Sequence, residues 1–242
     1  MTAVVLALVL SMTANAEAAD VEPVRVLLVT GVDHPAHHWR KTATAVREVL
    51  EKQGRIEVRI VEDPAFLASD TLFDYDVLFL HFKNYEPLAR EDRVRENLIN
   101  FVTGGKGLVA MHFASGAFEK WPEYESLVGK VWDGVSSHDP KGLFTVKIAD
   151  QEHPITKGLQ NFATDDELYI CLKGDRPVDL LATARSTITG KDHPMAFALH
   201  CGRGRVFHTA LGHDAKAIQT SGTAELLHRG CLWVASRDPS PP

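Results

Sequence analysis

Cysteine is scarce in this 242-residue chain: Cys171, Cys201 and Cys231 are the only three. None belongs to a CxxC pair, which excludes a zinc-knuckle site and any readable disulfide framework. An oxidising compartment would allow one bridge; three buried thiols are the alternative. Positive charge is short as well. Lys and Arg number 26 against 32 Asp and Glu, a formal net charge of −6 with no basic block. Nucleic acid and anionic membrane are therefore poor partners. No apolar run is long enough to be a transmembrane segment. The remainder, 45% hydrophobic and 24% charged, is ordinary globular composition in a length that suits one sizeable domain.

The most apolar run stands at the start. "AVVLALVLSM" followed by the small-residue stretch "TANAEAAD" reads as a secretory signal peptide over residues 1–19, with cleavage after Ala16 or Ala18. That predicts an exported protein, periplasmic or extracellular. No Lys or Arg precedes the run, unlike the usual basic leader. The competing reading is a buried N-terminal helix of a cytosolic protein.

From residue 24 onward, strand-like and helix-like runs alternate. Strands are expected at 24–30, 56–62, 75–82 and 106–113, nearly all apolar, as strands covered on both faces should be. A helix with Trp39, Ala43, Val46 and Leu50 on one stripe ends near Gly54. A second, about 90–102, turns Val94, Leu98, Phe101 and Val102 inward and stops at Gly104-Gly105. This rhythm predicts a parallel sheet with helices on both faces. The second half is less regular: strands at 143–150 and 178–184, then 195–200 and 205–211 around "CGRG", which suits a β-hairpin. "GRGR" lacks a phosphate-loop pattern. A closing helix spans roughly 223–235, and 237–242 reads as a disordered tail.

Histidine is what the chain has in quantity. Four of its twelve fall where strands should stop: His34, His81, His112 and His213. In an open parallel α/β sheet, ligands bind outside the carboxyl ends of the strands, so these residues point to one polar site. His208, mid-strand, reads as a core residue, and His37 and His38 as solvent-facing. Asp33 or His34 could cap a helix or touch ligand. His81, with Asn84 and Tyr85, offers hydrogen bonds and a stacking face for a sugar. Trp39, Trp121 and Trp132 also could stack, though packing is the default for each.

The segments "VTGVDHPAHHW", "LVAMHFASGAF", "SSHDPKGLFTVKIADQEHPITKGL", "DDELY" and "GRGRVFHTALGHD" together resemble the ThuA-like (trehalose utilisation) family of the class I glutamine amidotransferase-like superfamily, over residues 24–236. The resemblance implies a flavodoxin-like three-layer α/β sandwich with a mostly parallel central sheet. It also implies a role in the use of disaccharides or keto-sugar derivatives. The polar motif positions fall on His112, His138, His153-Pro154, Asp166-Glu167 and His213-Asp214. Where the amidotransferases carry a cysteine nucleophile this chain has His112, so hydrolysis of glutamine by a Cys-His-Glu triad is excluded.

Three functions remain open at this stage. In the first, His112, His213, Glu167 and His138 act as catalytic groups, either by proton transfer or around a divalent metal, zinc first, held by His112, His138 and His213. His34, His81, Asn84, Asp166 and Asp214 would then contact substrate. The second is a non-catalytic carbohydrate-binding domain beside a sugar oxidoreductase, with self-association a further possible partnership. The third is hydrolysis through Ser115, although "HFASG" is not the serine-hydrolase elbow and an early-turn role suits Ser115 better. His153, before Pro154, equally suits a plain turn.

Overall fold

The computed structural model describes residues 22–240; the expected signal peptide, 1–19, lies outside the described residues. The elements run β1 (Val24–Val29), α1 (Trp39–Glu51), β2 (Ile56–Val61), β3 (Val77–Leu80), α2 (Glu91–Thr103), β4 (Gly107–Met111), α3 (Pro122–Val128), β5 (Val131–Trp132), β6 (Gly142–Ile148), β7 (Phe162–Asp166), β8 (Leu172–Lys173), β9 (Asp179–Arg185), β10 (Asp192–Cys201), β11 (Gly204–Thr209), α4 (Ala215–Gln219) and α5 (Ser221–Val234). Nine strands form one sheet in the order β2-β1-β3-β4-β11-β10-β9-β6-β7. The first five are parallel. β10, β9, β6 and β7 then alternate in direction. The parallel half has the flavodoxin-type order, with its topological switch between β1 and β3.

Alternation along β1 shows why three layers form. Val26 and Leu28 pack with Ala43, Val46 and Leu50 of α1 and with Leu226 and Leu227 of α5. Leu27 and Val29 point the other way, into a second cluster with Val94, Leu98 and Phe101 of α2 and Leu127 of α3. A period of two on the strands thus meets a period of 3.6 on helices at both faces. β10 and β11 form the expected hairpin, turning through Gly202 at φ +59. The three thiols are buried and unpaired. Within the expected tail, the carbonyls of Asp238 and Ser240 accept hydrogen bonds of 2.6 and 2.9 Å from the Arg55 guanidinium. Among the described residues no helix is long and apolar enough to cross a membrane.

The antiparallel half matters for function because of its parity. Four reversals separate β11 from β7, so β7 again runs in the direction of the parallel strands. Its carboxyl end, Asp166, therefore reaches the same rim as the ends of β1, β3, β4 and β11.

His208 on β11 is wholly buried. Its Nδ1 donates to the Val128 carbonyl at 3.1 Å, and Nε2 has no partner. Burial pulls the imidazole from its ordinary 6.5 down to about 4, against a small opposing effect of the Val128 bond. Between those values the unfolded chain binds a proton that the folded chain refuses. Stability is therefore expected to fall as pH drops from about 7 toward 4, by about 3 kcal/mol from this residue. Urea unfolding at pH 7 and pH 5 checks this: His208→Asn, which cannot ionise, should show a visibly smaller loss.

Candidate functional site

β4 ends at Met111 and the chain turns sharply into a 3₁₀ segment, His112–Gly116. His112 sits in the left-handed region at φ +51, uncommon for a residue with a Cβ and held only where the surroundings insist. Its ring is fully buried. Nδ1 donates to the Ala210 carbonyl at 2.7 Å. That bond holds the ring and turns Nε2 toward the rim.

Glu167 follows directly from β7, and Asp166 before it holds the corner together. The fully buried Asp166 carboxylate accepts backbone N–H bonds from Glu167 (2.8 Å), Gly212 (2.7 Å) and His213 (3.1 Å). Gly212 lies at φ +111, where a side chain would be strained and would press on Met111. This glycine turns the chain just past β11 so that His213 faces Glu167. His213 Nδ1 lies 3.1 Å from Glu167 Oε2, and His112 Nε2 lies 3.4 Å from the same oxygen.

A third imidazole completes the group. The chain leaves β1 through Gly31, whose φ of +113 and closeness to the Glu62 carbonyl leave no room for a Cβ. The loop that follows lays His37 flat on Phe113, ring centroids 4.4 Å apart, with its edge toward His112 (5.1 Å) and His213 (4.9 Å). One ligand atom from each of His37, His112, His213 and Glu167 lies within 4.8 Å of every other. The Nδ1 atom of His37 is buried and has no hydrogen-bond partner, and that of His213 has only the Glu167 carboxylate beside it.

Charge within the group is strongly coupled. Burial, with the neighbouring His112 and His213, pulls His37 down to about 3, so it is neutral at physiological pH. His213 moves up, chiefly through its bond to Glu167. Burial alone would raise the Glu167 carboxyl, but His112 and His213 outweigh it and hold it well below the usual carboxylate range. One carboxylate thus faces three nitrogens, at least one of them an unprotonated lone pair.

Two groups flank this centre. The Tyr169 hydroxyl lies 3.0 Å from His112 Nε2. Burial and the nearby carboxylates raise it well above 10, so it stays protonated. His138 approaches the outer oxygen of Glu167 at 3.6 Å through Nε2 and donates from Nδ1 to the Asp139 carbonyl at 2.7 Å. Asp139 is itself gripped by the Ser186 and Thr187 hydroxyls.

The structure thus brings together His112, His213, Glu167 and, at the margin, His138. His37, expected to face solvent, stands in the ligand group where His138 was expected; His38 is exposed. His34 stacks on His37 and Tyr85, at 5.0 and 6.0 Å, beside the centre. The others serve the framework. His81 is buried, with Nδ1 3.2 Å from the Thr30 hydroxyl, beneath Phe113. Asn84 accepts from Phe118 N–H (2.8 Å) and donates to the Glu86 carbonyl. Asp166 is wholly occupied by backbone N–H groups. Asp214 caps α4 through Ala217 N–H and pairs with Lys141. His153 accepts from Ile155 N–H in a turn and packs on Trp233. Ser115 Oγ has no hydrogen-bond partner, so no base activates it and the serine-nucleophile reading has no support here. Tyr169 is the other residue not singled out beforehand; "DDELY" carried it.

Comparison with known proteins places this geometry. Residues 25–234 match the family model ThuA, described as trehalose utilisation. A ThuA-like protein from Parabacteroides merdae is 26% identical, with a TM-score of 0.81 over 91% of this chain and 93% of that one. A ThuA-like protein from Bacteroides uniformis is 19% identical, with a TM-score of 0.70 over 93% and 98%. A β-galactosidase from Bacillus circulans shares the fold at 14% identity and a TM-score of 0.59, covering 90% of this chain but 32% of its own. The curated proteins give no match. With the family model spanning nearly all of the described residues, the chain belongs to the ThuA, trehalose-utilisation family.

Proposed function

We propose that the rim centre is a divalent-metal site serving acid–base chemistry on a keto-sugar. The single observation that carries this is the convergence of three imidazoles and one carboxylate, with the buried His37 Nδ1 left unpartnered among them. Leaving a buried polar atom unpaired costs about 1–3 kcal/mol, and a bound cation would give the His37 nitrogen a partner beside the carboxylate. Nitrogen donors with one carboxylate oxygen suit zinc first. His37, His112, His213 and Glu167 would hold the ion. A metal bound there would supply Lewis acidity toward a substrate carbonyl oxygen.

The chain's own groups account for the proton traffic. His138 has its proton fixed on Nδ1, leaving Nε2 free to accept one. Removing the C–H proton next to the sugar carbonyl leaves the electron pair as an enolate, with negative charge on the carbonyl oxygen. Tyr169, always protonated, is the donor placed to hydrogen-bond an oxygen. Delivery of a proton from solvent water to the opposite face, with His138 losing its own to solvent, gives the epimer; loss of an oxygen substituent one carbon further, protonated by His138 as it leaves, gives elimination and releases an alcohol. Neither outcome needs a covalent nucleophile. The sugar substrate is supported by the family's trehalose-utilisation description.

Assay on 3-keto-glucosides with and without EDTA tests the reading. Turnover should vanish on chelation and return with zinc, and His138→Ala should lower kcat by at least about a hundredfold. Turnover indifferent to chelation would contradict it.

A further inference from the structure

A cleft of about 580 Å³ opens beside the centre, between the 3₁₀ segment after β4 and the short β5–β8 ribbon. It starts within the same turn as His112, because Ser115 and Gly116 line it. On its other wall Trp132 meets Tyr169 at 5.2 Å between ring centroids, and Tyr169 meets His112 at 4.5 Å. One aromatic ring therefore separates the cleft from the proposed reaction site. The volume falls within the roughly 300–1,000 Å³ of small-molecule sites.

Two polar groups in the cleft lack protein partners. Ser115 is 1% exposed and its Oγ is unpartnered. The Lys83 ammonium lies 5.3 Å from the Tyr85 ring centroid and 5.8 Å from that of Trp132. Its stem rests on Gly116, where a Cβ would come within 2.9 Å of it. Among the described residues Lys83 makes no ion pair. The lining is balanced in charge, Lys83, Lys120 and Lys173 against Glu119, Glu125 and Asp133. A neutral ligand rich in oxygen fits this better than an anion. Trp132, only partly buried, offers an aromatic face with polar donors around it, a combination suited to the C–H faces and hydroxyls of a sugar ring.

We propose that this cleft is a second sugar-ring subsite, taking the uncharged distal ring of a disaccharide or glycoside, with Trp132 as its platform and Lys83 and Ser115 as hydrogen-bond donors. The proposal rests on the reading that the centre handles a sugar, and it adds where a second linked ring would sit. Isothermal calorimetry of the full chain with trehalose, and separately with glucose, measures it without requiring turnover. Trehalose should bind at least about tenfold more tightly than glucose. Lys83→Met and Ser115→Ala should each reduce that advantage, and Trp132→Ala should bring it within about twofold of unity. Circular dichroism melts guard against misfolding, and Lys83→Met, which preserves the packing on Gly116, carries the test should Trp132→Ala fail to fold. Equal affinity for the two sugars, or a preference that survives in Lys83→Met and Trp132→Ala, would overturn the subsite while leaving the metal centre standing. No heat with either sugar would overturn the subsite, while turnover of 3-keto-glucosides remains the separate test of the centre.

Discussion

Replacing Glu167 by glutamine should lower zinc affinity at least about a hundredfold and leave the fold intact. Glutamine has nearly the shape of glutamate, so the space beside His112 and His213 stays filled. What disappears is the one negative charge, whose nearer oxygen lies 3.1 Å and 3.4 Å from two ring nitrogens. Altering a group that merely orients a ligand typically costs 10–100-fold in affinity; removing the anionic ligand itself should cost more. Competition against a chromophoric chelator gives the number, and a thermal melt of the metal-free protein gives the control. Affinity changed by less than about threefold would mean that Glu167 holds its histidines for another reason.

Asp166 behaves in the opposite way, although it is the adjacent residue. Asp166→Ala strips the acceptor from three N–H groups, the buried ones of Glu167 and Gly212 and the partly buried one of His213. Each orphaned donor costs about 1–3 kcal/mol. The loss should be at least about 3 kcal/mol, a large share of the 5–15 kcal/mol that holds a domain folded. Burial raises the Asp166 carboxyl, and His112 with the three donors offsets this only in part; Asp166→Asn keeps one oxygen as acceptor but sets its NH2 against an N–H, so it should lose less than Asp166→Ala. Asp214 offers the comparison. It caps a five-residue helix at a partly exposed position, and Asp214→Ala should cost about 1 kcal/mol. Denaturant titrations of the three variants check the ranking; Asp166→Ala no worse than Asp214→Ala would contradict the clamp.

That contrast also shows what the residues disclose before folding. The parallel half was legible because its strands are continuous apolar runs and its helices carry one clean stripe. β7, "FATDD", was not, because a strand buried on one face, ending in two acids, reads as a polar turn. Yet β7 delivers Glu167 to the rim. Placing that residue needed the parity of four antiparallel reversals, a property of topology and not of any local pattern. His112 and His213 were visible as strand-end histidines. His37 was hidden among three histidines in "DHPAHHW", where only the course of the loop after Gly31 decides which one turns inward. Asp166, Asp214, Asn84 and His81, expected to contact substrate, have hydrogen-bond partners within the protein, and spacing alone does not separate that use from ligand binding.

The central claim is that groups from four distant segments make one cation site. Elemental analysis of the protein purified without chelator, incubated with zinc and freed of excess by gel filtration, addresses it directly. The account predicts about one zinc per chain for the wild type and close to none for His37→Ala. A wild type that retains essentially no metal, or a His37→Ala variant that retains as much, would contradict it.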